Sequence, residues 1–254
     1  MDAIFSTTPI WIWGFCFAIA LFAGLVKGVV GFALPMILIS GLSSVMSPEL
    51  ALAGLILPTL ATNAWQALRH GTQAAWQAVA RYKVFLLTGL VVMLLSAQLV
   101  PVISARAMYL LIGVPVVIYA SLGLMGRPLR LPKNHGHRTE AVIGGIAGFF
   151  GGISGVWGPP TVAMLSAQET EKRDHVRIQG VIYGLGAVAL LGAHVGSGVL
   201  RVQTLPLSVL LVIPAMAGLL LGFRIHDRID QVTFRRATLL VLLIAGLNLI
   251  RRGF

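Results

Sequence analysis

Five long stretches of this chain contain no charged residue, and they restrict what the chain can fold into more than any other feature. They run over residues 50–68, 84–105, 107–126, 178–200 and 202–223. An α-helix needs about 20 apolar residues to cross a bilayer, and a chain in lipid must satisfy its backbone hydrogen bonds internally. The sequence therefore predicts an all-α integral membrane protein in which these five stretches are transmembrane helices.

Three other apolar regions complete the predicted membrane part. Residues 237–250 are short for a span, but a pair of arginines at each end can reach the two interfaces, so we predict a sixth helix. Residues 141–168 are too few for two full crossings, and whether residues 3–48 make two crossings or a dipping hairpin stays open. With 57% hydrophobic and 11% charged residues and a mean hydropathy of +0.90, the composition excludes an ordinary soluble domain.

The chain also contains an internal repeat. Residues 23–35 return at 147–159 with an alanine, three glycines and a proline at the same offsets. The same shift of 124 residues aligns the later apolar runs, so that each half holds five segments. An odd number of segments predicts two inverted repeats with broken or re-entrant half-helices at the glycine-rich breaks. We place transmembrane repeat 1 at residues 1–126, a cytoplasmic linker at 127–138 and transmembrane repeat 2 at 139–254.

The basic residues predict the orientation of the chain in the membrane. If residues 141–168 form a hairpin, 15 Lys and Arg residues fall on one side and 4 on the other, whereas a single broken crossing gives 11 against 8. Because cytoplasmic loops carry the excess of positive charge, we favour the hairpin and predict both termini on the non-cytoplasmic side. The net charge of +11 then belongs to loops that face anionic lipid, and no nucleic-acid partner is predicted.

Each copy of the repeat ends its glycine-rich run with a proline, Pro35 in the first and Pro159 in the second. Proline lacks a backbone donor and fits the first turn of a helix, so each predicts the start of a half-helix with the preceding glycines as an unwound link. A helix start inside a membrane directs several N–H groups and about half a positive charge at one place, which suits a small anion. The alternative is packing alone, because a pair such as Gly24 and Gly28 also lets two membrane helices approach closely.

The acidic residues favour an anion over a cation as the substrate. All eight lie in predicted loops or at segment ends, whereas a cation carrier is expected to hold a carboxylate inside a span. Lys27 is either a counter-charge for the anion or a lysine whose ammonium extends to the membrane surface. Asn63 and Tyr183 lie on the aligned third helices, where they line the site or form helix–helix hydrogen bonds. The predicted substrate-binding residues are Gly24, Lys27, Gly28, Gly31, Pro35, Asn63, Gly152, Ser154, Gly155, Gly158, Pro159, Thr161 and Tyr183.

Other reactive side chains give weaker indications. His70 and His194 occupy the same offset in the two halves, where proton-linked gating competes with hydrogen bonding at helix ends. The fragment 135–137, His-Gly-His, lacks the cysteines or paired carboxylates of a metal site, and we predict no metal and no cofactor. No enzyme motif is found, so we predict a transporter rather than an enzyme, with an anion channel and a non-transporting membrane assembly subunit as alternatives.

The glycine-rich segments that end in proline resemble the TauE/SafE family, the sulfite exporter family. The resemblance spans the whole chain and rests on residues 24–35, on residues 148–159 and on Arg69-His70-Gly71 at the end of the third helix. It implies a secondary transporter in the bacterial cytoplasmic (inner) membrane that exports sulfite, a sulfonate or another organosulfur anion. We expect alternating access and a surrounding of membrane lipid, with a homodimer as one option for assembly. The first copy has Val29, Val30 and Phe32 where the family has consecutive glycines, which leaves the exact substrate open.

Overall fold

The computed structural model describes residues 9–97, 104–127, 136–154, 158–196 and 198–254, and these residues are largely helical. The prediction of an all-α protein is confirmed for them, since the elements that they form are α-helices. The helices are α1 (Ile10–Val30), α2 (Leu34–Leu42), α3 (Pro48–Leu68), α4 (Thr72–Arg81), α5 (Lys83–Ala97), α6 (Ala105–Leu124), α7 (His137–Ser154), α8 (Gly158–Ala167), α9 (Lys172–Gly196), α10 (Leu205–Arg228) and α11 (Gln231–Arg252).

Several of these helices match the requirements of a membrane span. By length and composition, α1, α10 and α11 are long and apolar enough to cross a bilayer. Helices α4 and α5 meet at an angle of 71° and add a fourth span if the bent pair is counted as one. The other predicted spans are also helical, as α3, α6 and α9. The chain is therefore an all-α membrane protein, and the side on which each loop lies stays a prediction.

Local sequence signals explain where the long helices begin. The Ser47 side chain accepts a hydrogen bond from the backbone N–H of Leu50 (3.3 Å) at the start of α3, which satisfies one of the free donors of a helix N-terminus. Asp230 does the same for Thr233 (2.7 Å) at the start of α11, and this backbone hydrogen bond lowers the pKa of the Asp230 carboxyl. Gly71 separates α3 from α4 with a φ of 90°, a conformation that glycine adopts most readily.

The helices form two compact units that do not coincide with the two sequence repeats. The first unit comprises Met1–Arg69 and Gly180–Ile229, and the second comprises His70–Gln179 and Asp230–Phe254. The first therefore contains α1, α2, α3 and α10, and the second contains α4 to α8 and α11. Helix α9 contributes to both, because the boundary falls within it. Each compact unit thus combines helices from both halves of the sequence.

In the first unit, α1 and α10 approach so closely that their facing positions have to be glycine. A Cβ atom at Gly24 would lie 2.0 Å from the carbonyl oxygen of Ala215, and one at Gly28 would lie 2.4 Å from that of Leu219. The contact is reciprocal, since a Cβ at Gly218 would lie 2.0 Å from the carbonyl oxygen of Leu21. Close backbone approach through small residues is a main means of helix association in lipid. A buried apolar cluster adjoins this contact and includes Cys16, Ala20, Leu34, Leu38, Leu42, Leu207 and Leu211.

The second unit contains an equivalent pair of helices. Here the helix that precedes the glycine-proline break comes from the second half of the sequence, and its partner comes from the first half. The 124-residue shift relates α7 to α1 and α5 to α10. In this unit α7 packs on α5, again through glycine: a Cβ at Gly148 would lie 2.1 Å from the carbonyl oxygen of Gly89, and one at Gly144 would lie 2.5 Å from that of Phe85. Equivalent helices of the two repeats therefore make equivalent contacts, each with a helix from the other half. The opposite orientation of the repeats remains a prediction.

Candidate functional site

The first glycine-proline segment forms a break between α1 and α2, as the sequence predicts. Helix α1 ends at Val30, and the N–H of Gly31 donates to the carbonyl of Lys27 (2.6 Å). Gly31 has a φ of 88° and Ala33 a φ of 78°, so two of the three linking residues adopt left-handed conformations, which cost an alanine about 1–2 kcal/mol. Pro35 lies in the first turn of α2, and its prediction as a half-helix start is confirmed.

The break is narrower than the sequence predicts. Gly24 and Gly28 lie inside α1, where they pack on α10, and of the glycines in this segment Gly31 lies in the link. The prediction that the preceding glycines form the link is wrong for the first two, because their lack of a side chain serves helix contact. Helix α2 has nine residues, about 14 Å at 1.5 Å per residue. This is half the thickness of the hydrocarbon core, so α2 is too short for a full crossing.

Two buried side chains from other helices cap the end of α1. The Nε2 amide of Gln66 in α3 donates to the carbonyl of Gly31 (3.0 Å). The Nδ1 atom of His226 in α10 lies 3.1 Å from the carbonyl oxygen of Val29, and because a carbonyl only accepts, Nδ1 is the donor in this contact. Both side chains are about 1% exposed. The carbonyls of Val29 and of the next-but-one residue Gly31, at the end of α1 where helix partners run out, are thus held by α10 and α3.

Lys27 lies in the last turn of α1 and is 1% exposed. Its ammonium donates a hydrogen bond to the Oδ1 atom of Asn63 in α3, and Asn63 Nδ2 donates to the carbonyl of Tyr183 in α9 (3.2 Å). None of the ion pairs between described residues involves Lys27. Complete burial does not fit a lysine whose ammonium extends to the membrane surface. A buried cation beside a neutral amide needs further compensation, of which the negative end of the α1 dipole gives a part.

Helix α3 presents a row of buried polar residues toward this region. Thr59, Thr62, Asn63 and Gln66 are each at most 5% exposed, and their spacing of three and four residues places them along one face of the helix. The hydroxyl of Thr62 donates to the carbonyl of Pro58 (2.6 Å), whereas the Thr59 hydroxyl has no partner within the part of the chain that the structure describes. Thr59 and Thr62 were not among the predicted site residues, although their spacing of three and four residues from Asn63 and Gln66 could be read from the sequence.

The second glycine-proline segment lies in the other unit, where the structure describes the helices on either side of residues 155–157. The described part of α7 runs through Gly152 to Ser154, and the described part of α8 begins with Gly158 and Pro159; the half-helix start at Pro159 stays a prediction. Gly155 lies outside the described residues. Thr161, in the first turns of α8, is fully buried. The ten described residues of α8 span about 15 Å.

The two predicted gating histidines and the Arg-x-Gly signature lie at or near helix ends. His70 is exposed between α3 and α4, and His194 is half-buried near the end of α9, so proton-linked gating stays a prediction. Arg69 of the Arg-x-Gly signature pairs with Asp227 (2.5 Å), and its Cζ atom lies 4.1 Å from the centroid of the Phe223 ring. This signature therefore joins α3 to α10. Within the described residues, no group of three or more His, Cys, Asp or Glu side chains is placed to hold a metal ion.

The predicted residues that the structure brings together are thus Lys27, Gly31, Asn63 and Tyr183, all in the first unit. Gln66 and His226 join them through the capping contacts. Among these, His226 was not predicted, because a single histidine near the end of an apolar run has no sequence signal that separates it from an ordinary helix-end residue.

Comparison with known proteins relates the chain to a family of membrane exporters. The family model "Sulfite exporter TauE/SafE" matches residues 16–249. The chain is also similar to a protein of Cupriavidus necator named "Probable sulfite/organosulfonate exporter TauE", with 31% identity over 136 residues. This alignment covers 53% of each protein, so the chain spans about half the length of the curated relative that it matches. No solved structure matches the chain.

Proposed function

The chain belongs to the TauE/SafE family, and from this premise we propose that it is a secondary transporter that exports a small anion across the bacterial inner membrane. The substrate class is sulfite, a sulfonate or another organosulfur anion, in keeping with the name of the Cupriavidus necator relative. Alternating access is the proposed mechanism. The protein is proposed to be a carrier and not an enzyme.

The observation that carries this proposal is the placement of Lys27 at the first break. A fully buried lysine amine beside the neutral amide of Asn63 carries, when protonated, a positive charge that an anion can compensate. The carbonyl end of α1 is already held by Gln66 and His226. Across the break, α2 begins at Leu34. Its N-terminus is the positive end of the helix dipole, and such a helix start favours anions.

The break also offers the means for a conformational change. Gly31 and Ala33 hold left-handed backbone angles between two helices, and hinges are often a few residues at the ends of elements that absorb large changes in φ and ψ. We propose that α2 changes position during transport, while α1 stays fixed to α10 through Gly24 and Gly28.

The decisive experiment is counterflow exchange in proteoliposomes with sulfite, thiosulfate, sulfoacetate and simple carboxylates. Wild-type protein is expected to exchange at least one sulfur anion saturably. Lys27→Met is expected to lose this exchange, because the buried cation is gone, while it still inserts into the membrane. The matched control is Arg236→Gln, which removes an exposed positive charge from α11. Saturable exchange by Lys27→Met at wild-type rate and KM would disprove the role of Lys27.

Two other outcomes distinguish the alternatives. A channel would conduct anions without counterflow. A non-transporting assembly subunit would show neither flux nor any rise in Tm with added anions, whereas binding at 100 times Kd stabilises a folded protein by about 2.7 kcal/mol. Either result would replace the transporter proposal.

A further inference from the structure

Helix α4 is an element that the apolar pattern does not predict. It fills the interval between the predicted spans 50–68 and 84–105, and it meets α5 at an angle of 71°. Helix α5 begins the predicted span and exposes large apolar side chains along its length, among them Leu87, Leu94 and Leu95. If α5 crosses the bilayer near its normal, α4 lies close to the membrane plane.

The faces of α4 differ in the way expected of a helix in a membrane interface. Ala78 is buried, which identifies the side that packs on the protein. Gln73, Gln77 and Arg81 follow one another at intervals of four residues and form an exposed polar stripe. Trp76 is 70% exposed and lies about 100° around the helix from Gln77. An exposed tryptophan beside a polar stripe matches the interfacial position that tryptophan prefers in membrane proteins.

Basic residues gather where α4 joins α5. Arg81 pairs with the buried Glu140 in the first turn of α7 (2.8 Å), and this pair brings the two chain segments together. Lys83, two residues after Arg81, and Arg138, two residues before Glu140, are both exposed. Within the described part of the chain neither of them forms an ion pair. Asp174 is a second carboxylate close to Tyr82, the residue between α4 and α5, and it pairs with Arg177 (2.8 Å). The four basic residues Arg81, Lys83, Arg138 and Arg177 therefore exceed the two carboxylates at this junction.

We propose that α4 is an interfacial helix that binds anionic phospholipid, with Trp76 at the level of the headgroups and with Lys83 and Arg138 on the lipid phosphate. Three observations favour a lipid over a soluble phosphate: the apolar exposed face of α5, the tryptophan next to the charges, and the bend that turns α4 away from the axis of α5. The predicted topology places this junction on the cytoplasmic side, where anionic lipids attract juxtamembrane basic residues.

The position of α4 is tested by single nitroxide labels in a Cys16→Ser background, which removes the native cysteine. Trp76→Cys and Gln77→Cys are labelled separately and reconstituted into vesicles of equal parts phosphatidylcholine and phosphatidylglycerol. Collision with oxygen, which dissolves in the bilayer, is expected to dominate at position 76. Collision with a water-soluble nickel complex is expected to dominate at position 77. Nickel access at both positions would place α4 in water, and exclusion of both reagents from position 76 would indicate a protein partner; either result overturns the proposal.

The headgroup preference is tested by titrating phosphatidylglycerol into detergent-solubilised protein and counting bound lipids by native mass spectrometry. Lys83→Gln and Arg138→Gln are each expected to raise the Kd of the first lipid about fivefold, the effect of one basic residue near an anionic surface. Arg251→Gln removes an exposed charge from the C-terminal end of α11, on the predicted non-cytoplasmic side, and is expected to leave this Kd unchanged. Unchanged Kd values for both junction variants would disprove the lipid site.

Discussion

The ammonium of Lys27 donates to the amide oxygen of Asn63, 36 residues further along the chain, and both side chains are 1% exposed. The contact joins the end of α1, at the first break, to the C-terminal third of α3. Because the partner is a neutral amide, the contact fixes the position of the cation without neutralising it. The charge of Lys27 is therefore available to an anion. Giving Asn63 a negative charge tests whether it is.

Asn63→Asp is expected to weaken anion transport strongly. The new carboxylate would form an ion pair with Lys27 and compete with the substrate for the same ammonium. Hydrogen bonds to charged groups contribute about 1.5–3 kcal/mol, so we expect the KM for the anion to rise at least about tenfold in the proteoliposome assay.

The matched control is Asn248→Asp on α11, where the amide oxygen of Asn248 accepts a hydrogen bond from Arg251 (3.0 Å) at an exposed site. This variant is expected to retain the wild-type KM. An unchanged KM for Asn63→Asp would argue that Lys27 does not contact the substrate.

Gly28→Ala is expected to destabilise the protein through helix packing. Its Cβ would lie 2.4 Å from a backbone oxygen of α10, which cannot move without shifting the helix, and overpacking of this kind costs about 1–3 kcal/mol. Gly14→Ala, in the same helix, meets nothing within 4 Å and is expected to be neutral or slightly stabilising. Thermal unfolding in detergent measures both, and equal Tm values for the two variants would contradict the packing role of Gly28.

His226→Leu is expected to lower stability by about 1–3 kcal/mol, because the carbonyl of Val29 loses the donor that the buried His226 supplies. His226→Asn keeps a side-chain N–H donor in a similar position and is expected to recover part of the loss. The control is His70→Leu, at an exposed position between two helices, for which a small change is expected. The measurement is unfolding in denaturant; equal losses for His226→Leu and His226→Asn would show that volume matters and the hydrogen bond does not.

Much of the fold follows from local sequence. Uncharged runs predict helices because a helix satisfies its own backbone in lipid, and Pro35 predicts a helix start because it lacks an N–H group. The repeat predicts that α1 and α7 have the same role, and both pack on another helix through glycine. These features depend on residues close together in the sequence, which explains why they could be predicted.

The parts that were missed depend on partners far along the chain. Gly24 and Gly28 could be link or contact residues until α10, almost 200 residues later, occupies the space beside them. In the same way, His226 acquires its role from the carbonyl of Val29, 197 residues earlier. The buried threonines of α3 are a different case, since their period was visible in the sequence. Helix α4 was missed because a search for uncharged runs of spanning length passes over a ten-residue helix, although its alanines and glutamines favour a helix.

Ala33 leads to a prediction about the break itself. A left-handed alanine costs about 1–2 kcal/mol, and glycine would remove this strain while losing a buried methyl group worth about 0.8 kcal/mol. Ala33→Gly is therefore expected to be close to neutral, although alanine-to-glycine changes in a helix usually cost about 1 kcal/mol. Ala18→Gly, at an exposed position inside α1, is the matched control and is expected to show that usual loss. Ala33→Val should destabilise most, because a β-branched residue resists positive φ. Thermal unfolding of the three variants gives the order, and a loss for Ala33→Gly as large as that for Ala18→Gly would mean that Ala33 is not held in the left-handed conformation.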